Sequence, residues 1–182
     1  MNQANKLTIL RVILVPVFIA FMCINTLWAN ITGLVVFIIA SLTDMLDGQI
    51  ARKKNLVTTF GKFADPLADK MLTTAAFLVF MEHGIIGVWP VFIILVREFA
   101  VSGIRLAAAA EGEVIAASFW GKFKTVTQMI SIIAGILLMC ISMIPTEISN
   151  IITAILVWIC VIFTIISGAE YIIKNWKLMK LK

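Results

Sequence analysis

The sequence predicts an all-α membrane protein of six transmembrane helices with both termini in the cytoplasm. Three observations carry this. Hydrophobic residues make up 62% of the 182 and charged residues only 14%, against about 45–50% and 25% in soluble domains. Apolar stretches of spanning length recur six times, separated by short polar breaks. The cations gather on alternate breaks, as they do when one side of a membrane holds all the basic loops.

The first span is placed at 7–26. It follows a short polar start, residues 1–6, and no clean small-x-small cleavage site comes before the next span. It therefore reads as a retained helix and not a cleaved signal. The second span, 31–52, ends in a basic cluster, and the third, 61–81, contains Pro66. Pro16 and Pro66 are tolerable inside spans because neighbouring helices can satisfy the freed backbone groups. The fourth, fifth and sixth spans fall at 86–108, 123–143 and 149–173. A helical span needs about 20 apolar residues, so six occupy nearly the whole chain. Residues 1–182 form one membrane domain, with no internal repeat and no room for a soluble domain.

Loop charges set the orientation. One side holds Lys6, Arg11, Arg52, Lys53, Lys54, Lys62, Arg105, Lys122, Lys124 and the tail lysines 174, 177, 180 and 182. The breaks at 25–30, 82–89 and 145–150 hold no Lys or Arg. This is the positive-inside bias, and it requires an even number of spans. The two remaining cations, Lys70 and Arg97, lie within spans on the cytoplasmic half. The net charge of +5 thus belongs to one membrane face, where it attracts anionic headgroups by about 1 kcal/mol per residue. Nucleic acid is excluded as a partner: no basic domain with interleaved aromatics exists, and Trp28, Trp89 and Trp158 read as interface or lipid-facing residues.

All four aspartates fall in one segment, DMLDGQIARKKNLVTTFGKFADPLAD. Asp44 and Asp47 are spaced i, i+3 and share a helix face. Gly61, Asp65 and Asp69 repeat at i, i+4, i+8 on the next helix. Two antiparallel helices joined by a short turn can oppose two carboxylates from each side. Gly48, Ala51, Gly61 and Ala68 permit close approach of helices or ligand. An Asp at mid-membrane costs about 2.5–3.5 kcal/mol on the insertion scale, less near the cytoplasmic ends, and four like charges repel. A divalent cation resolves both difficulties. Oxygen-only ligands select a hard ion, Mg²⁺ or Mn²⁺, with Ca²⁺ as the alternative. Four carboxylates can hold two such ions about 3.5–4 Å apart, the spacing used in phosphoryl displacement. Two simpler readings compete: the aspartates pair with Arg52, Lys62 or Lys70, or they mark the ion path of a cation channel or transporter.

The segment resembles the signature of the CDP-alcohol phosphotransferase family, D-x2-D-G-x2-A-R-x8-G-x3-D-x3-D. Asp44, Asp47, Gly48, Ala51, Arg52, Gly61, Asp65 and Asp69 fill every fixed position with the gap intact. The resemblance implies that Asp44, Asp47 and Asp65 hold two divalent ions, with Asp69 at the second. It also makes Asp69 the general base that deprotonates the acceptor alcohol. Gly48 and Arg52 would meet the cytidine diphosphate, and Thr58, Asn5 and Thr8 are further nucleotide contacts. Two metals would neutralise the pyrophosphate and stabilise the leaving cytidine monophosphate, with positioning and electrostatics carrying most of the catalysis.

The acceptor is read from the remaining cations. Span four carries VREFAVSGIR and the following loop carries GKFKTVTQ. Arg97, Arg105, Lys122 and Lys124 can converge with Lys62 on the cytoplasmic side, a set suited to an acceptor phosphate. Arg97 lies about two turns inside its span, where Arg is costly. Glu98 sits about 100° around the helix from it and reads as a poor partner. Within the family these segments, with Asn5, Leu7, Thr8 and Arg11, look most like members that move a phosphatidyl group from CDP-diacylglycerol to sn-glycerol 3-phosphate. Inositol phosphate, serine and phosphatidylglycerol are the alternative acceptors. The resemblance places the protein in the inner or plasma membrane as a multi-pass chain and suggests a homodimer. Cys23, Cys140 and Cys160 read as small buried hydrophobes, and His83 as a solvated loop residue.

Overall fold

A computed structural model describes the backbone of residues 3–54, 59–110, 112, 115 and 118–176, and the side chains of 8–43, 68, 70–109, 112, 115 and 118–176. The described residues form six helices: α1 (Gln3–Ile24), α2 (Leu27–Lys54), α3 (Thr59–Glu82), α4 (Val88–Ala110), α5 (Phe119–Cys140) and α6 (Thr146–Lys174). All six expected spans are present as helices. The ends differ by a few residues, for physical reasons. Ser118 caps α5, its hydroxyl accepting from the Gly121 N–H at 3.1 Å, so α5 begins a turn earlier than 123. Pro145 precedes α6 and its carbonyl accepts from Ser149 N–H at 3.1 Å, a fixed-φ residue suited to a helix start. Asn25, at φ 50°, turns the chain from α1 into α2 within two residues, where a break of 25–30 was expected. Pro16 and Pro66 lie inside α1 and α3 as read from the sequence.

α1 packs on α2 and α3, and α6 on α4 and α5, while α2 meets α5 and joins the two groups. The core between them is aromatic and aliphatic. Phe18 and Phe37 stand 5.6 Å apart, and Phe77, Phe80, Ile132, Ile136, Val157 and Val161 are fully buried. Gly135 is needed where three helices close up: a Cβ there would come within 2.6 Å of the Phe80 ring and 2.7 Å of Thr153 Cγ2.

The surface is inverted relative to a soluble bundle. On α6 the buried face is Ser149, Thr153, Val157, Cys160, Val161, Thr164, Ser167 and Tyr171, while Ile148, Ile151, Ile155, Ile159, Ile162 and Ile165 face outward. Water would drive the reverse arrangement. Lipid does not, because small and hydroxylated residues then let helices approach and bond to one another. Ser131 on α5 shows the second effect, its hydroxyl lying 2.9 Å from the Leu156 carbonyl of α6 and 2.8 Å from that of Thr127. By length and apolarity α5 and α6 both qualify as membrane-crossing helices, and Thr8–Ile24 and Leu27–Thr43 form shorter apolar runs. α4 carries Arg97, Glu98 and Arg105 within it.

The turns α1–α2, α3–α4 and α5–α6 meet at one end around a cavity of about 420 Å³ lined from all three. The helices therefore alternate in direction, and the aspartate-bearing ends of α2 and α3 point the other way. His83 lies in the α3–α4 turn as expected but is not freely solvated. It is half-buried, and its Nε2–H donates to the Met22 carbonyl at 3.0 Å, closing the end of α1. Cysteine burial is mixed: Cys160 is buried, Cys140 partly so, and Cys23 exposed. Cys23 thus departs from the expected buried role, lying on the outward apolar face of α1. Trp28, Trp89 and Trp158 are exposed, as interface or lipid-facing residues must be.

Candidate active site

The aspartate motif straddles the end of α2 and the start of α3. Both helices run unbroken over the motif residues they carry, so Asp44 and Asp47 share a stripe of α2 and Asp65 and Asp69 a stripe of α3. The side chains of these four, and of Asn5, Gly48, Arg52 and Lys62, lie outside the described residues, as does all of Thr58. Ala68, between the two aspartates of α3, is 1% exposed. Thr8 and Arg11, one turn apart on α1, are each 1% exposed and both engage partners.

Asp69 is followed at once by Lys70, and here the description of side chains resumes. Lys70 Nζ lies 2.5 Å from Glu98 Oε2 on α4. The other Glu98 oxygen takes Lys124 Nζ of α5 as a close ion pair and Arg97 Nη1 at 3.4 Å. Arg97 Nη2 donates to Ser167 Oγ on α6 at 2.6 Å. One carboxylate thus gathers cations from three helices. Lys124 is 1% exposed and Glu98 13%, so the group is shielded from water and its members are strongly coupled.

Two glycines make the passage for Arg97. A Cβ on Gly168 would sit 3.1 Å from Arg97 Cγ, and one on Gly121 3.7 Å from Arg97 Nη2. The guanidinium is threaded between α5 and α6 instead of snorkelling to the surface. Its Nε is buried and has no hydrogen-bond partner among the described residues.

Of the cations expected to converge, Arg97 and Lys124 do so on Glu98. Arg105 is exposed, its Cζ 5.6 Å from the centre of the Tyr171 ring. Lys122 is exposed on the first turn of α5. Three readings need correction. Lys122 and Lys124 belong to a helix and not a loop. Arg97 sits near the middle of α4, deeper than two turns. Glu98 is a partner of Arg97 after all, because a long side chain can bend across the 100° that separates neighbours. Sequence reasoning missed Glu98 and Ser167, and it took Lys70 only as a rival partner for the aspartates. A clue was available: three basic residues and one Glu in apolar helices require a shared counter-charge.

An inverted helical bundle with ionisable residues bonded to one another inside it is the architecture of a membrane protein. The chain belongs to the CDP-alcohol phosphatidyltransferase family, whose model matches residues 1–166. It is an enzyme of that transferase class, and members of the family generally depend on a divalent metal. It is 43% identical over 98% of its length to a Bacillus subtilis protein named CDP-diacylglycerol–glycerol-3-phosphate 3-phosphatidyltransferase, covering 97% of that chain. A Rickettsia typhi protein of the same name is 38% identical, with 93% and 94% covered. A Mycobacterium tuberculosis relative named as a probable phosphatidylglycerophosphate synthase is 34% identical, with 94% and 80% covered. Family membership sets aside the channel or transporter reading.

Proposed function

We propose that this enzyme transfers the phosphatidyl group of CDP-diacylglycerol to sn-glycerol 3-phosphate, releasing cytidine monophosphate. The observation that supports it most is the excess of cation over anion among the described residues of the interhelical cluster. Lys70, Arg97 and Lys124 share one carboxylate, and the buried Arg97 Nε has no hydrogen-bond partner among the described residues. A phosphorylated acceptor supplies the missing negative charge, whereas serine or phosphatidylglycerol has less use for it.

The donor set suits two divalent ions, Mg²⁺ or Mn²⁺. Its oxygens are hard, and its two stripes lie on consecutive, continuous helices. Asp44, Asp47 and Asp65 would hold the ions, with Asp69 at the second. When bound, the ions would neutralise the pyrophosphate and stabilise the leaving group. Asn5, Thr8, Gly48, Arg52 and Thr58 would hold the nucleotide. Arg97 and Lys124, with Lys62, Arg105 and Lys122, would fix the acceptor phosphate. Asp69 would take the proton of the acceptor hydroxyl as its oxygen bonds to the phosphatidyl phosphorus and the bond to cytidine monophosphate breaks. The adjacent Lys70, anchored on Glu98, ties that base to the acceptor cluster.

All six helices cross the membrane in this reading. Each has 22–29 residues, about 33 Å or more, against a hydrocarbon core of about 30 Å. The cation-free turns lie outside, so both termini and the active site face the cytoplasm of the inner or plasma membrane. Residues 1–182 act as one domain. The test is formation of the phosphatidylglycerophosphate lipid from CDP-diacylglycerol and labelled glycerol 3-phosphate. Activity should vanish on chelation and return with Mg²⁺ or Mn²⁺. Product formation undiminished by chelation would overturn the metal-assisted mechanism.

A further inference from the structure

We propose that the cavity at the end of the bundle opposite the aspartates binds an uncharged polyhydroxyl group. It lies outside the reaction described above. Asn30, on its wall, is about 21 Å along α2 from Asp44 at the usual helical rise. At about 420 Å³ the cavity falls within the usual ligand-pocket range of about 300–1,000 Å³.

Its wall is rich in neutral hydrogen-bonding groups. Asn25, Asn30, His83, Ser142, Ser149 and Asn150 all line it. Asn30 is 3% exposed. Its amide nitrogen reaches Asn25 Oδ1 at 3.5 Å, but its own Oδ1 is buried with no hydrogen-bond partner among the described residues. A buried acceptor in that condition calls for a donor. His83 Nε2–H is committed to the Met22 carbonyl, which holds the imidazole in the wall and leaves the Asn30 oxygen to another donor.

Charge narrows the ligand class. The three turns carry no Lys or Arg at 25–30, 82–89 or 141–150, so a phosphate or carboxylate finds no counter-charge here. Adjacent hydroxyls of a sugar or polyol both donate and accept, matching a wall of amides and hydroxyls. They can arrive as the headgroup of a neutral glycolipid or as a free sugar.

The experiment uses the full chain, purified in a detergent without a sugar headgroup. Thermal unfolding is followed against monoglucosyl-diacylglycerol, glucose, diacylglycerol and phosphatidylglycerol. A saturable rise with the glucosyl lipid alone identifies a lipid-borne ligand, and a rise with glucose as well identifies the free group. Asn30→Leu should weaken the apparent affinity at least tenfold while transferase activity stays unchanged. Should Asn30→Leu fail to fold, the half-exposed or exposed rim positions serve instead: Asn150→Leu and Ser142→Val should each weaken binding. The proposal is overturned by no saturable response, by an equal response to diacylglycerol or phosphatidylglycerol, or by variants that respond as the parent does.

Discussion

Lys70 Nζ lies 2.5 Å from Glu98 Oε2, joining the residue next to Asp69 to the cation cluster of α4 and α5. The motif helix α3 is thereby tied to α4 and α5, the elements that carry the proposed acceptor-binding cations. Positioning of this kind is where phosphoryl-group transfer gains most of its rate.

Removing Glu98 should be costly. Lys124 is 1% exposed, and without the carboxylate it and Lys70 face each other as unpaired cations. Loss of one member of such a pair costs about 3–5 kcal/mol. Glu98→Gln should therefore lower the unfolding temperature in detergent clearly, with loss of activity. A midpoint equal to the parent's would mean that the cluster is not a structural tie.

Arg97→Lys keeps the charge but loses the fork that reaches Ser167 and the buried Nε. A charge-assisted hydrogen bond contributes about 1.5–3 kcal/mol, so KM for glycerol 3-phosphate should rise about tenfold to a hundredfold. KM for CDP-diacylglycerol should hardly move. Equal effects on both substrates would remove Arg97 from the acceptor site.

Gly168→Val tests the passage of the same side chain. The added Cβ would stand 3.1 Å from Arg97 Cγ, and the two methyls beyond it should push the Arg97 side chain out of its present path. Steady-state kinetics should show the acceptor KM rising as for Arg97→Lys. Gly103→Val, at a position open to added atoms, should leave it unchanged. Comparable loss in both variants would point to a general effect on α4 and α6.

Asp69→Asn removes the proposed base without changing shape. General-base catalysis contributes about 10²–10⁴-fold, so kcat should fall by that factor while cytidine nucleotide binding, followed by calorimetry, persists. Retained turnover would move the base elsewhere.

Much of this was legible from residues alone. Six helices followed from apolar length, and the motif from spacing. Three things were not legible. Helical periodicity treats neighbours 97 and 98 as diverging, yet Arg97 bends back to Glu98 at 3.4 Å. The α5 start depends on the Ser118 cap, a local bond that the hydropathy of 123–143 does not register. Nothing in the sequence sets Ser167, Gly121 and Gly168 apart from other small residues of the chain. Their roles appear only when α4, α5 and α6 close around one guanidinium.

The most direct test of the central claim is an acceptor panel. Purified protein receives CDP-diacylglycerol, Mg²⁺ or Mn²⁺, and glycerol 3-phosphate, inositol phosphate, serine or phosphatidylglycerol in turn, with cytidine monophosphate and lipid product measured together. The account predicts stoichiometric release and transfer with glycerol 3-phosphate, and little with the rest. Transfer confined to another acceptor, or to none, would contradict it.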